Sequence, residues 1–301
     1  PVKLILTDKV RIDPWGVYFR TQSVHDNMAN VMIDTQLDGF EGEQKLKTEA
    51  ALLDQNGKVI TTKRINAGER GANAFTFNIS NPQLWSPERP YLYTLKTRLF
   101  KGKKLIDETT QHVGIRIVSI TKEHGFQLNG MSCKFKGVCL HHDLGPIGTA
   151  VNKAALIRQI RLMKDMGADA IRTSHNMPSQ MQMDVCDSMG MMVMAESFDA
   201  WKEPKVKNGY NRFYDEWWQK DLSNLIRGHR NHPSIVMWSI GNEIPEQWKE
   251  EGAARAKAMT AYCHQLDPSR LVTCGVDNPE GGVNSGFYST VDIPGFNYRI
   301  F

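Results

Sequence analysis

The sequence predicts a multi-domain β and α/β chain: an immunoglobulin-like β-sandwich followed by an incomplete (β/α)8 TIM barrel. Three observations predict it. Residues up to about 118 fall into short alternating runs separated by turn residues. After 120 the rhythm changes to strand, loop, helix, strand. The stretch 235–243, IVMWSIGNE, is an apolar run of the kind buried on both faces of a parallel sheet, ending in Asn242 and Glu243.

In the first part, residues 30–37 alternate with Val31, Ile33, Thr35 and Leu37 on one face, and Leu46, Thr48, Ala50 and Leu52 alternate again. The turn Asp54-Gln55-Asn56-Gly57 follows, with a return strand over 58–62. Residues 74–79 alternate through Phe75, Phe77 and Ile79, and 92–99 and 109–117 supply two further strands. Short strands at this spacing suggest an antiparallel sandwich. It contains no catalytic cluster. Residues 1–20 read as the end of a preceding domain or a linker, 21–119 as the sandwich and 120–301 as the N-terminal part of the barrel.

In the second part, 133–140 is the first strand. Asn152 is a plausible N-cap for a helix through Met166 that stops at Gly167. A strand at 170–173, a helix over 180–189 ending at Gly190 and a strand at 191–195 follow. After a long loop come a helix at 214–228, a strand at 235–240 broken by Gly241, a helix at 252–266, and strands at 270–274 and 293–298. From Thr121 the chain offers about 180 residues, against roughly 250 for eight strands. The barrel is incomplete, and its open strand edges are expected to favour association.

Composition excludes more than it selects. The 301 residues are 41% hydrophobic and 23% charged, as in ordinary globular proteins. A net charge of +4, without a basic run, gives no support for nucleic acid or a membrane surface as partner. No apolar stretch is long enough to span a bilayer. The chain opens in a strand-like pattern without a signal segment, as a piece of a longer protein would, so location stays open between periplasm and cytoplasm. The five cysteines form no close pair and read as buried free thiols.

Candidate chemistry collects where barrel strands end, the face on which such barrels present functional groups. His141, His142 and Asp143 end the first strand; Arg172, Ser174, His175 and Asn176 the second; Glu196, Asp199 and Trp201 the third; Asn242 and Glu243 the fourth; Asn297 and Tyr298 the sixth. Such a set suits sugar hydroxyls, with tryptophan faces to stack on a ring. A carboxyl at Glu243, walled by Trp238, is placed to donate a proton near neutral pH. Plainer readings compete: the strand end could cap the next helix, Arg172 could pair with Glu196, and Tyr298 could be packing. A joint metal site at the His-His-Asp run is disfavoured because neighbouring strand residues point to opposite faces. The methionines and the pair Trp217 and Trp218 read as packing groups.

With these residues in view, the chain resembles glycoside hydrolase family 2, most closely its β-galactosidase-like members from gut bacteria. The matching segments are FQLNGMSCKFKGVCLHHD, LIRQIRLMKDMGADAIRTSHN, CDSMGMMVMAESFDAW, NHPSIVMWSIGNE and GFNY, together with LWSPERPYLYTL in the β-rich half. The resemblance implies a retaining exo-β-galactosidase in which Glu243 is the general acid/base, Asn242 bonds the sugar 2-hydroxyl and Tyr298 orients the nucleophile. It implies that His141, Arg172 and His175 shape the sugar subsite and that Asp199 and Trp201 line the pocket.

The same resemblance puts the nucleophilic glutamate on a seventh strand absent from this chain, and makes residues 1–20 the end of a sugar-binding jelly-roll domain or a linker. The expected partner is a β-galactoside oligosaccharide or glycan, with a homo-oligomer possible. No cofactor or metal is expected, since the magnesium ligands of some family members lack a clear counterpart. β-Glucuronidase, β-mannosidase and a non-catalytic carbohydrate-binding homologue remain open.

Overall fold

The computed structural model describes residues 4–42 and 45–298 and divides into two compact units. The first comprises Pro1–Ser132 with Asn231–Pro233; the second comprises Cys133–Arg230 with Ser234–Phe301.

The first unit is a seven-stranded sandwich with a short antiparallel addition. Its strands are β1 (Arg11–His25), β2 (Met28–Asp38), β3 (Leu46–Leu53), β4 (Val59–Asn66), β5 (Ala72–Ser80), β6 (Tyr93–Lys101) and β7 (Lys104–Val113). One sheet has the order β1-β2-β5 and the other β4-β3-β6-β7. The expected face of β2 is buried, from Val31 to Leu37, and it packs with Phe75, Phe77 and Ile79 against Leu52, Leu95 and Leu99 of the other sheet. The predicted turn forms: Asp54 Oδ1 accepts from the backbone N–H of Asn56 and of Lys58, each at 2.9 Å, and Gly57 takes φ +80°.

Two boundaries differ from the sequence reading. Residues 11–20 are not the tail of another domain, because they form the first half of β1 and pair with β2 from Arg11↔Asp38 onward. The alternation there is interrupted at Asp13-Pro14-Trp15-Gly16, where the register shifts between Ile12 and Val17, and that bulge hid the strand. Residues 1–3 lie outside the described residues, as do 299–301 at the far end. The three strands β8 (Val118–Thr121), β9 (Gly125–Leu128) and β10 (Met131–Ser132) group with the first unit, so the second unit starts at Cys133 rather than at 120. Strand β7 also begins earlier than 109; its start follows a lysine-rich turn at 101–104 that carries no apolar alternation.

The second unit is a six-stranded parallel sheet in the order β11-β12-β13-β14-β15-β16, part of a TIM barrel. In chain order it runs β11 (Gly137–His141), α1 (Lys153–Asp165), β12 (Ala170–Ser174), α2 (Gln180–Met189), β13 (Met192–Glu196), α3 (Tyr214–His229), β14 (Ile235–Asn242), α4 (Glu250–Leu266), β15 (Leu271–Val276), α5 (Pro279–Asn284) and β16 (Ile293–Phe296). Asn152 caps α1, its side chain accepting from the N–H of Ala155 at 3.1 Å, and Gly190 ends α2 in the left-handed region. All eight residues of β14 are buried, as a strand covered on both faces requires. Gly241 does not break it. The strand continues to Asn242 through a register shift, and a Cβ at Gly241 would meet Ile244 Cδ1 at 2.8 Å and Trp201 Nε1 at 3.0 Å.

Three cysteines, Cys186, Cys263 and Cys274, are buried free thiols as expected, while Cys133 and Cys139 are exposed. Cys139 lies on β11, which among the described residues has a sheet partner on one side only. No helix among the described residues is long and apolar enough to cross a membrane.

Because β11 and β16 each pair on one side among the described residues, the 301-residue polypeptide is expected to self-associate. Sedimentation velocity checks this. Cys139→Lys, which puts a charge on the open edge, should shift the distribution toward monomer.

Candidate functional site

The parallel strands end together, and their terminal residues converge on one buried carboxylate. Glu196, the last residue of β13, is fully buried. Its Oε2 accepts from Arg172 Nε at 2.8 Å and from Ser239 Oγ at 2.5 Å, and pairs with Arg172 Nη2 at 2.6 Å. Its Oε1 meets His175 Nδ1 at 2.5 Å, and its backbone N–H donates to Thr173 Oγ1 at 3.0 Å. A carboxylate removed from water needs such partners, because an uncompensated buried charge is costly. Burial works to lower the guanidinium of Arg172, but the charge and hydrogen bonds of Glu196 outweigh it and leave Arg172 above its ordinary value.

Arg172 carries the order one strand further. Its Nη2 donates to Asn242 Oδ1 at 2.9 Å, and Asn297 Nδ2 donates to the same oxygen at 2.9 Å. Two donors on one oxygen fix which end of the Asn242 amide is oxygen. Its Nδ2 therefore faces the other way, toward Asp199 Oδ1 at 3.3 Å. Asn297 Nδ2 also donates to Glu243 Oε1 at 2.9 Å, so one amide ties the two neighbouring side chains together.

Glu243 itself sits just past β14 with φ +46°, in the left-handed region, and its N–H donates to Gly275 O at 2.7 Å. A non-glycine residue there costs roughly 1–3 kcal/mol and persists only where its surroundings enforce it. Tyr298, at φ +61°, lies beside Glu243, and the neighbouring carboxylate raises the phenol above its ordinary value. Gly275 of β15 makes the convergence possible: a Cβ there would lie 2.8 Å from Arg172 Nη2 and 3.1 Å from Asn297 Nδ2.

Beside this cluster a cavity of about 400 Å³ is lined by His175, Asp199 and Lys205, with Phe198 and Tyr210 stacked at 5.0 Å in its wall. Lys205 Nζ donates to Asp199 Oδ1 at 2.8 Å. Burial pushes the Asp199 carboxyl up, but the hydrogen bond and charge of Lys205, with the Asn242 amide, outweigh it and leave Asp199 below its usual range. His141 ends β11 and sets its ring edge-on to His175, centroids 5.2 Å apart.

The structure thus brings Asn242, Glu243, Arg172, His175, Asp199 and Tyr298 into one connected cluster, with His141 against it. It does not bring Trp201. That side chain is fully buried, stacks on Phe287 and donates its indole N–H to Ile240 O at 2.8 Å, so it supports the strand end from behind and offers no face to a ligand. Trp238 does not wall Glu243 either, because its indole N–H turns to Asp267 Oδ2 at 2.9 Å. The strand end does not cap the next helix, since α4 starts after Lys249. Tyr298 is exposed rather than packed. The pairing of Arg172 with Glu196 does form, and Arg172 reaches Asn242 as well.

Sequence reasoning gave no role to Ser239, Lys205, Gly275 or Glu246. Asn297 was collected at the end of the sixth strand but given no role of its own, and the structure sets it between Asn242 and Glu243. Lys205 lies in an irregular loop without periodicity, and nothing local distinguishes it.

Comparison with known proteins agrees with the fold. Residues 10–116 match the model of glycosyl hydrolases family 2, and residues 118–292 match the TIM barrel domain of the same family. The chain is 35% identical to beta-galactosidase BoGH2A of Bacteroides ovatus, over 99% of this chain and 39% of that protein. It is 33% identical to the beta-glucuronidase of Felis catus, over 91% of this chain and 41% of that protein. A crystal structure of a glycosyl hydrolase family 2 member from Bacteroides cellulosilyticus superposes with TM-score 0.92 at 34% identity, covering 97% of this chain and 38% of that one. The chain therefore spans about two fifths of the length of these relatives.

Gly275→Ala is expected to force Arg172 and Asn297 off Asn242 and to lower stability by about 1–3 kcal/mol, the usual cost of overpacking, measured by urea unfolding. Asp199 is lowered in the folded state, so its pairing with Lys205 stabilises above the unfolded carboxyl value and is lost as pH falls through the lower folded one. Asp199→Asn should flatten that part of the acid decline in melting temperature.

Proposed function

The chain belongs to glycoside hydrolase family 2, and from that premise we propose that the protein it is part of is a retaining exo-β-galactosidase. The observation that carries the reading is Glu243 beyond the end of a buried barrel strand, its carboxylate held by Asn297 beside an Asn242 amide of fixed orientation. On this reading Glu243 protonates the glycosidic oxygen as the C–O bond breaks, then takes a proton from the water that completes the second displacement. Asn242 has two amide hydrogens. One is directed at Asp199, and the other is available to the sugar 2-hydroxyl. His175 commits Nδ1 to Glu196 and so presents Nε2 to the subsite, Asp199 lines it, and His141 packs edge-on against His175. On the same reading Tyr298 steadies the second carboxyl of the pair, which would stand on a later strand. The two carboxyls of a retaining enzyme stand about 5 Å apart.

Galactose is favoured over a uronic acid because both cations of the described cluster are already paired, Arg172 with Glu196 and Lys205 with Asp199. The beta-glucuronidase among the relatives supports the second reading, a β-glucuronidase whose carboxylate-binding cations come from elsewhere in the protein.

The test is a panel of β-galactoside, β-glucuronide and β-mannoside on the full-length protein. Hydrolysis of the galactoside is expected, with Glu243→Gln lowering kcat by about 10²-fold or more. Galactose binding without hydrolysis of any member would instead identify a carbohydrate-binding homologue. The 301-residue polypeptide alone, which supplies only the acid/base of the pair, is expected to leave an aryl β-galactoside intact. Turnover by that polypeptide that disappears with Glu243→Gln would overturn the assignment of the second carboxyl.

A further inference from the structure

We propose that Lys205 is a positioning residue for Glu243, acting through the peptide that joins Asn242 to Glu243. This inference rests on the reading of Glu243 as the acid. The peptide is held from both sides: its N–H donates to Gly275 O at 2.7 Å, and its carbonyl, Asn242 O, accepts from Lys205 Nζ at 2.8 Å. The same ammonium bonds Asp199 Oδ1 at 2.8 Å, and Asp199 in turn accepts from the Asn242 amide. Lys205 therefore grips Asn242 by main chain and side chain together.

The grip matters because Glu243 is a non-glycine residue at φ +46°. Left to itself, such a residue relaxes by rotating the preceding peptide toward negative φ, and the rotation swings Cβ and the carboxyl away from their position. With both ends of the peptide bonded, rotation breaks at least one bond. One of the two is charge-assisted, the stronger kind.

The loop that brings Lys205 here is itself fastened to the same strand end. The backbone N–H groups of Lys202 and Glu203 donate to Glu246 Oε1 at 3.0 and 3.1 Å, and Glu246 is fully buried three residues beyond Glu243. Trp201 anchors the loop to Ile240 O. With residues 201–203 fixed, Lys205 has little freedom left to lose in reaching Asn242. An irregular loop more than thirty residues earlier in the chain thereby sets the conformation of the acid.

A misplaced acid has a distinctive kinetic signature. Protonation of the leaving oxygen is indispensable when an alkoxide departs and nearly dispensable when a dinitrophenolate departs. The experiment measures kcat/KM of the full-length wild type, Lys205→Met, Lys205→Gln, Lys205→Arg and Glu243→Gln on two substrates sharing the glycon selected by the panel: a disaccharide and a 2,4-dinitrophenyl glycoside. Lys205→Met is expected to lose about tenfold or more on the disaccharide and less than about threefold on the dinitrophenyl glycoside. Lys205→Arg, which retains a cationic donor, should recover most of the loss. Lys205→Gln keeps a donor without the charge and should show a smaller split in the same direction, which also serves if the methionine variant does not fold.

Equal losses on both substrates, or none on either, would overturn the role of Lys205. Glu243→Gln separates the two levels of inference. If it shows the split and the Lys205 variants do not, only the present inference fails. If it does not show the split, Glu243 is not the acid and both fail. A wild type that hydrolyses neither substrate removes both as well.

Discussion

The strand ends of the barrel are organised around one buried negative charge, the carboxylate of Glu196. Its desolvation would be prohibitive if unpaired, and the chain offsets it with a cation from β12, a hydroxyl from β14 and the imidazole of His175. Each partner lies on a neighbouring strand or just beyond one, so satisfying Glu196 also fixes how three adjacent strand ends stand relative to one another. The consequence passes outward through Arg172. A guanidinium that must point Nε and Nη2 at Glu196 has one remaining direction for the same Nη2, and Asn242 occupies it. Asn242 thus owes its orientation to a carboxylate that it does not touch.

Crowding is the second constraint. Arg172 and Asn297 meet on Asn242 beside Gly275 of β15, and the chain makes room by omitting a side chain there. A similar economy operates at Gly241, where Ile244 and the indole of Trp201 close against bare backbone. Neither glycine needs a positive φ. Both are required by close approach, and that distinguishes them from the turn glycines of the sandwich, such as Gly57.

Much of this was legible in the sequence, and the division between what was and what was not has physical reasons. The alternation of β2, the apolar run of β14 and the cap at Asn152 are local signals, and each formed as read. The polar residues at strand ends were legible because a parallel barrel sends every strand the same way, so strand assignment alone collects them on one face. What failed was direction. The resemblance put Trp201 in the pocket and the strand end put Trp238 beside Glu243, yet both indoles turn toward buried acceptors, Ile240 O and Asp267 Oδ2. Residue type and spacing do not record which way a large amphipathic side chain turns when a buried acceptor competes with the site. Lys205 was invisible for a related reason: its importance lies in one bond to a main-chain oxygen, and no side-chain pattern encodes that.

The orientation of Asn242 has a consequence for recognition. With Oδ1 occupied by two donors, the amide can present only N–H to a ligand, so whatever it meets must offer a lone pair. A hydroxyl oxygen does so, and a hydroxyl hydrogen alone would not suffice. Reversing the amide would set its NH₂ against Arg172 Nη2 and Asn297 Nδ2, so that each loses one acceptor, in a cluster where Asn242 is itself buried. The cost of those lost acceptors, about 1–3 kcal/mol each, opposes the flip. The selectivity of this amide for an accepting oxygen is therefore a property of the Glu196–Arg172–Asn297 framework rather than of Asn242 alone. Replacing Asn242 by aspartate would keep the framework's acceptor but discard the donor that meets Asp199.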